Sequence, residues 1–465
     1  MPDFTTVTSA SSMRSPSQFP LSRRRLLTAS AGVAAAAALP ACAASVSSSS
    51  GGGGKTTVTV MTNPPAIGDT EFGTKDQIAA AEKKLGIKIK QIGYDVTKLT
   101  AMLSSGNPPD IVRGMGVLDT PYLVAHDVAQ DLDSYFAKST VLKSDDIDPI
   151  NDAWRYDGSK QGSGPRYGLA KDWSQDAMFW YNTALFDSAG VKYPSGVDPV
   201  SYDEWLDLGK RLTQRVKGKT KVYGMSANGL GFTNLFSTMT AQQGGQIFNA
   251  DLSAVDFTSP EAIKALNWYL EYAKANVGPT PVNPDPNGWD WPTFQARRMA
   301  MPNDGYWFGG MISTDDKIAA VSRLAPAPQF GGTRLSPCAA ATGYWIAKAS
   351  KNKDAAWRLF EWYFGEEPAK ERAKTGTGIP GLKSLRSLLP QDKPYQKQAY
   401  EVQMNELKYF SVQSFTPYVR SDALDGVVNA ALPAAIKNGT PAAKLADTLT
   451  TNMNKQLAQG KAALK

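Results

Sequence analysis

The sequence predicts an α/β protein with a largely parallel sheet, arranged in two lobes. Three observations carry this. Residues 56–114 alternate β-branched runs with amphipathic stretches in the order strand, helix, strand, helix, strand. The same alternation resumes beyond residue 200. No glycine-rich linker follows residue 54, although 465 residues suffice for two or three bodies.

The first element, TTVTVMT, is a strand. TKDQIAAAEKKLG is a helix in which Thr74 and Gln77 form a capping box, Ile78 and Leu85 share a face, and Gly86 stops the coil. IKIKQIGYD alternates again as a second strand. TKLTAMLSSG turns Leu99, Met102 and Leu103 inward and ends at Gly106. Pro108 and Pro109 bar continuation, and DIVRG starts a third strand. Later, SYDEWLDLGKRLT opens on a Ser201/Glu204 capping box and lines up Trp205, Leu208 and Leu212. VYGMSA reads as a strand. SPEAIKALNWYLEYAKAN starts with Ser259 as N-cap and Pro260 in the first turn, and buries Ile263, Leu266 and Leu270. SKNKDAAWRLFEWYFG is a further helix. Trp205, Trp268, Trp357 and Trp362 sit in such helices and are assigned to packing.

Composition excludes several function classes. Net charge is +7, and Lys and Glu are interleaved without a basic stripe, so nucleic acid is not an expected partner. Cys42 and Cys338 allow one bridge at most. The single histidine, His126, lies in a helix-like segment, which argues against a multi-histidine metal site or a serine–histidine nucleophile. Asp285, Asn287 and Asp290 lack the spacing of a calcium loop. GMGVLD and NGLGFTN lack the nucleotide-binding fingerprint. Neither metal nor cofactor is expected.

The N-terminus reads as a targeting segment. Arg23, Arg24 and Arg25 front an Ala-rich apolar stretch, Leu26 to Leu39, that is shorter than the ~20 residues of a spanning helix. Residues 1–41 are therefore an export signal, similar to a twin-arginine one. Leu39-Pro40-Ala41-Cys42 resembles a bacterial lipobox, which implies a lipidated Cys42. Residues 42–54, almost all Ala, Ser and Gly, then serve as a tether reaching roughly 20 Å. The alternative is an ordinary signal cut at A-x-A, with Cys42 incidental. Lipidation leaves Cys338 a free, buried thiol and places the protein on the outer face of the cell membrane.

Four further stretches occur in a familiar order. They are LTAMLSSGNPPDIVRG; YGLAKDWSQDAMFWYNTALFDSAGV with SYDEWLDLGKRLT; FQARRMAMPNDGYW; and APAPQF with ATGYWIAKASKNKDAAWRLFEWYF. Together with the lipobox they resemble the extracellular solute-binding proteins of ABC importers, family 1, the maltodextrin-binding-like group, over most of residues 55–440. The resemblance implies a class II periplasmic-binding-protein-like fold with a ligand cleft between lobes. Lobe one is expected at 55–172 plus 343–395 and lobe two at 173–342 plus 396–465, with crossings near Lys171–Ala177, Ala341–Trp345 and 390–410. It also implies a monomeric, non-enzymatic receptor that closes on a carbohydrate and delivers it to an ABC permease, touching the membrane only through its lipid.

A sugar presents hydroxyls at its rim and C–H groups on its faces, so its site needs aromatic plates and hydrogen-bonding side chains. By the resemblance Trp307 is the stacking residue, with Tyr306 beside it at the Gly305 bend. Asp172, Trp173 and Gln175 lie at the first crossing. Tyr344 and Trp345 point to opposite sides of an extended segment, so one of them is expected to reach ligand, with Tyr344 preferred. Asn228 and Phe232 or Asn234 precede a helix. Asn63 ends the first strand, and Phe415, Tyr418 and Arg420 are further candidates near the C-terminus. Asp110 is assigned a structural role. Two other readings stay open: a secreted glycoside hydrolase or lyase, and a ligand-sensing envelope lipoprotein. The hydrolase needs two carboxyls about 5–10 Å apart, which Asp145/Asp146, Asp203/Glu204 and Glu366/Glu367, as adjacent pairs, do not provide.

Overall fold

The computed structural model describes residues 55–63, 71–227, 229 and 231–464. Cys42, the leader, the tether and Asn228 lie outside the described residues. Three parallel strands form where the alternation placed them, at Thr57–Thr62, Lys88–Gly93 and Ile111–Met115. A five-stranded sheet results, in the order 88–93, 57–62, 111–115, 342–346, 168–170. The strand Thr342–Ile346 runs antiparallel to both neighbours. Thus a segment from far along the chain is inserted between 111–115 and 168–170 and joins them into one sheet.

The local signals explain the helices. In Lys75–Leu85 both capping-box bonds form, Gln77 N–H to Thr74 Oγ1 at 3.2 Å and Thr74 N–H to Gln77 Oε1 at 2.8 Å. Gly86 closes that helix in the left-handed conformation at φ 67°. Ser201/Glu204 and Ser259 cap Tyr202–Leu212 and Pro260–Ala275 as expected. Asp110 is structural: its carboxylate takes the Thr59 N–H at 2.8 Å and the Ser350 hydroxyl. His126 ends Gly116–Ala125, its ring stacked on Tyr122 at 3.8 Å. Cys338 is buried and free.

The elements gather into two lobes. One is the sheet with helices Lys75–Leu85 and Lys353–Gly365 on one face. Its core on that face holds Val58, Val60, Ile111, Tyr344 and Ile346, closed by Trp357, Phe360 and Tyr363. The other lobe is helix-rich. Helices Phe232–Gln242, Pro260–Ala275, Ser421–Asn438 and Ala442–Ala463 pack together, and among the described residues its strands form only two-stranded pairs. Its core is continuous with the second face of the sheet, through Val112, Trp154 and Trp345.

Two sequence expectations shift. VYGMSA is not a strand. The ladder ends at Val222, paired with Gln214–Val216, and Tyr223 makes an isolated bridge to Met299. Gly224 and Ser226 instead donate to Val277 and Met301, because the chain here runs tight against helix Tyr202–Leu212. A Cβ on Gly224 would stand 1.8 Å from the Gly209 carbonyl. In Pro260–Ala275, Ile263 and Leu270 are only partly buried. The buried face belongs to Leu266, Trp268, Tyr269 and Tyr272, because Trp268 stacks between Trp205 and Tyr272 at 6.1 and 5.9 Å.

Strand 342–346 enters the sheet only because Gly343 has no side chain. A Cβ there would lie 1.8 Å from the Leu169 carbonyl oxygen. Gly343→Ala is expected to destabilise the protein by about 2 kcal/mol or more in urea unfolding. Gly93→Ala, in the same sheet with open space around it, is expected to stay within about 0.5 kcal/mol. Equal stabilities would remove this constraint from the account.

Candidate functional site

The strands 57–62, 111–115 and 168–170 end along one edge of the sheet, where α/β proteins gather their ligands. The sequence places polar residues there. Arg113 shares a face with buried Ile111, so its guanidinium needs a buried partner. Glu71 supplies one: Arg113 Nε donates to both carboxylate oxygens at 3.0 Å. Lys171 Nζ stands 3.7 Å from Glu71 and pairs also with Asp172. The Thr62 and Tyr344 hydroxyls meet at 2.7 Å, and the Asn63 N–H reaches Glu71. Burial alone would raise Glu71, but Arg113 and Lys171 outweigh it and hold the carboxyl below its ordinary range. The four charges sum to zero.

A second contact joins this edge to the helical lobe. Arg420, at the N-terminus of Ser421–Asn438, donates to Tyr94 Oη at 3.0 Å, lies 3.9 Å from Asp119 and sits over the Tyr122 ring at 5.8 Å. Asp119 itself accepts the Met115 N–H at 2.7 Å.

The chain then crosses from the sheet toward the helices through Lys171–Asp176, buried throughout. Asp172 and Trp173 pair with Ile379–Pro380. Trp173 meets Phe410 edge-on at 5.2 Å, and its indole N–H has no partner among the described residues. The Gln175 amide donates to the Ser336 and Glu406 carbonyls at 3.0 and 2.8 Å and accepts from Gln403 at 2.6 Å. Asp176 accepts the Ser174 hydroxyl and the Ala339 N–H, each at 2.7 Å. Burial pushes Asp176 up to about 6.

The turn Asn303–Trp307 rests on this crossing. Asn303 Nδ2 donates to the Ala177 carbonyl at 2.9 Å, and the Trp180 indole N–H donates to the Gly305 carbonyl at 3.0 Å. Gly305 permits the approach, since a Cβ there would lie 2.5 Å from Ser174 Oγ. Trp307 is half-buried, and so is Trp289. Both indoles stand perpendicular to the buried Phe308 ring, at 5.6 and 6.5 Å. Asp290 and Asp304 are hydrogen-bonded to each other. Burial is the main cause that raises both. The Asp290 charge raises Asp304 further, whereas the hydrogen bond from Asp304 lowers Asp290. The two therefore hold one proton between them, on the Asp304 side. That proton supplies the donor that Asp304 Oδ2 otherwise lacks among the described residues. Nearby, Phe232 is half-buried against Tyr269 at 5.3 Å, and Asp425 accepts both the Thr233 N–H and its hydroxyl.

The structure thus brings Asp172, Trp173, Tyr306 and Trp307 together around the crossing and places Asn63 on the adjoining sheet edge, exposed. It corrects other expectations. Tyr344 and Trp345 do point to opposite sides, but both are core: Tyr344 packs on Phe72 at 5.1 Å, and Trp345 is 1% exposed. Gln175 spends its amide on internal carbonyls, and Tyr306 is 3% exposed, leaving neither a surface for ligand. Phe415 and Asn234 are likewise buried. Sequence reasoning missed Glu71, Arg113, Lys171, Trp289, Asp290 and Asp304. Arg113 carried a signal, a cation at an inward position of an apolar strand. Trp289 carried none, since only its packing on Phe308 reveals it.

Among the described residues no group of three or more His, Cys, Asp or Glu is disposed to hold a metal ion. The Asp290/Asp304 carboxyls touch, rather than standing the roughly 5–10 Å apart that glycoside hydrolysis requires.

The sequence model of bacterial extracellular solute-binding proteins matches residues 69–370, well over half the chain. No curated protein sequence matches. In fold the chain is similar to an ABC substrate-binding protein from Listeria monocytogenes in complex with cycloalternan. That match has 22% identity and a TM-score of 0.70, and covers 87% of this chain and 99% of that one. It is similar also to a solute-binding protein from Thermotoga lettingae bound with α-D-tagatose, at 20% identity and TM-score 0.72, covering 87% and 100%. A third is a binding protein from B. animalis subsp. lactis in complex with β-1,6-galactobiose, at 19% identity and TM-score 0.67, covering 87% and 98%.

The raised carboxyls predict a pH dependence. Asp176, Asp290 and Asp304 hold their protons more tightly folded than unfolded. Their contribution to stability is full below the ordinary value of 3.8 and is lost as pH rises through the folded value, about 6 for Asp176. Asp304→Asn cannot ionise and keeps a donor for Asp290. Melting temperature is expected to fall between pH 5 and 7.5 in the wild type and to fall less steeply in Asp304→Asn. Parallel profiles would refute the shared proton.

Proposed function

The chain belongs to the bacterial extracellular solute-binding proteins, and from that premise we propose that it is the substrate-binding lipoprotein of an ABC importer, capturing a carbohydrate between its lobes. Membership places it outside the cytoplasm, and among the described residues no helix is long and apolar enough to cross a membrane. The observation that carries the carbohydrate reading is Trp307. It is a half-exposed indole on a turn fixed to the crossing, with Trp289 flanking the same Phe308 ring. Such plates suit the C–H faces of a sugar, and exposed Asn63 suits its hydroxyls. The ligands of the three structural relatives, cycloalternan, tagatose and galactobiose, support the class.

In this reading lobe one is 55–172 plus 343–395 and lobe two is 173–342 plus 396–465. Ligand contacts both and favours the closed state. The ligand-contacting set is Trp307, Trp289, Phe232 and Asn63, while Asp172 and Trp173, at 6% and 5% exposure, are buried like Tyr306 and serve the crossing itself. Cys42 carries the lipid, residues 43–54 give reach, and the protein acts as a monomer that hands its cargo to a permease without chemical change.

The test uses Lys55–Lys465, which form one compact unit. Tryptophan fluorescence and melting temperature are followed against mono-, di- and oligosaccharides and polyols. A saturable response is expected, with the sugar recovered intact. Trp307→Ala is expected to weaken it at least tenfold, about 1.4 kcal/mol, while the protein still melts cooperatively. Unchanged affinity in a folded Trp307→Ala would remove the assignment, and cleavage of the sugar would turn the case toward an enzyme.

A further inference from the structure

The sequence shows no basic stripe, but folding assembles a basic corner. The parallel strands Thr57–Thr62, Lys88–Gly93 and Ile111–Met115 all begin on the edge of the sheet opposite the candidate site. Lys55, the first described residue, lies there, and its charge reaches Glu82. The Lys88 N–H donates to the Thr56 carbonyl at 2.8 Å, and the Asn352 amide donates to the Thr57 carbonyl at 3.2 Å. Arg358 donates to the Leu85 carbonyl, where helix Lys75–Leu85 ends, at 3.2 Å. These bonds draw Lys55, Lys83, Lys351, Lys353 and Arg358 together around the first two strands. All are exposed except half-buried Lys353. The nearby ion pairs belong to other cations: Glu82 holds Lys88, Glu366 holds Lys84 and Asp127 holds Lys348. The five join none among the described residues. Asp110 is engaged by the Thr59 N–H and the Ser350 hydroxyl, and Asp354 by the Tyr135 hydroxyl. Even with Glu361, one turn beyond Arg358, five cations stand against three carboxylates.

Helix stability does not explain Lys351 and Lys353. They flank the N-terminus of Lys353–Gly365, where the helix dipole favours acids. Position explains them better, because the corner surrounds the point where residues 43–54 join the described chain. Resting on the reading in which Cys42 carries a lipid, we propose that this corner docks on the anionic phospholipid surface beside the anchor. Lipid chains retain the protein, and clustered Lys and Arg add attraction to anionic headgroups within a Debye length. The corner therefore decides which face meets the bilayer. The candidate site, a strand's length away, is held roughly 20 Å further out, open to arriving solute.

The experiment uses Lys55–Lys465, the compact unit without lipid. Its probes are vesicles of phosphatidylcholine, alone or mixed with phosphatidylglycerol, and co-sedimentation is the readout. Binding to the mixed vesicles is expected to exceed binding to the neutral ones by about tenfold or more. It is expected to vanish in about 1 M salt, where the screening length is about 3 Å. The triple variant Lys55→Gln, Lys83→Gln, Lys351→Gln is expected to lose about tenfold or more. Its control is Lys437→Gln, Lys444→Gln, Lys455→Gln, which removes the same charge from exposed lysines of the helical lobe and is expected to keep the binding. Equal loss in both variants reduces the effect to net charge and overturns the corner. A wild type without preference for anionic vesicles overturns it as well. Equally tight binding to a DNA duplex overturns the lipid assignment. The anchor is read separately, from the mass of the full chain extracted from its own membrane. An unmodified Cys42 overturns the anchor reading and leaves the vesicle-binding corner standing.

Discussion

The structure depends on one buried passage of chain. From Lys171 to Asn182 the backbone runs from the sheet into the helical lobe without meeting solvent. Buried peptide groups must be paired, and each stretch finds a different partner. Lys171 N–H goes to Thr342, Asp176 N–H to Pro337, Trp180 N–H to Pro302 and Asn182 N–H to Ala300. Between them the Gln175 amide binds two further carbonyls, so a side chain completes what no strand can reach. These partners come from the 300–303 turn, from the 336–342 return and, for Gln175, also from Glu406. The passage therefore fixes where both lobes stand relative to the candidate site.

That requirement explains why glycines stand at the contacts. Gly305 lies against Ser174 and Gln175, and Gly343 against Leu169, at separations no Cβ permits. It also explains why so much of the polar chemistry near the crossing is internal. Gln175 and Tyr344 are hydrogen-bonding groups turned to structural ends, while Trp307 keeps part of its indole open because Phe308, not Trp307, fills the core beneath it.

The two walls solve the burial of charge differently. The sheet edge uses ion pairs, with Arg113 and Lys171 between Glu71 and Asp172. The helical wall uses neutral donors and a shared proton, with the pKa values of its carboxyls raised.

Much of the fold was legible in the sequence, because capping boxes, terminal glycines and alternating β-branched runs act over three to eight residues. The strands at 57–62, 88–93 and 111–115, and the helix starts at Thr74, Ser201 and Ser259, are local decisions that short-range hydrogen bonds and side-chain periodicity determine. For the candidate site, motif resemblance pointed to the crossing and the 305 bend, which pack against each other. Which side chains there face outward was not legible. Tyr344 and Trp345 alternate as the sequence said, yet both faces of that strand are covered, a fact that depends on Phe72, Tyr363 and Trp154 arriving from elsewhere in the chain. Likewise Glu71 meets Arg113 and Lys171, and Trp289 meets Phe308, only after long loops close. The sequence by itself determined these elements, because their signals are local. Burial, charge pairing and the outlook of each site residue were decided by tertiary structure, since they depend on contacts between residues far apart in the chain.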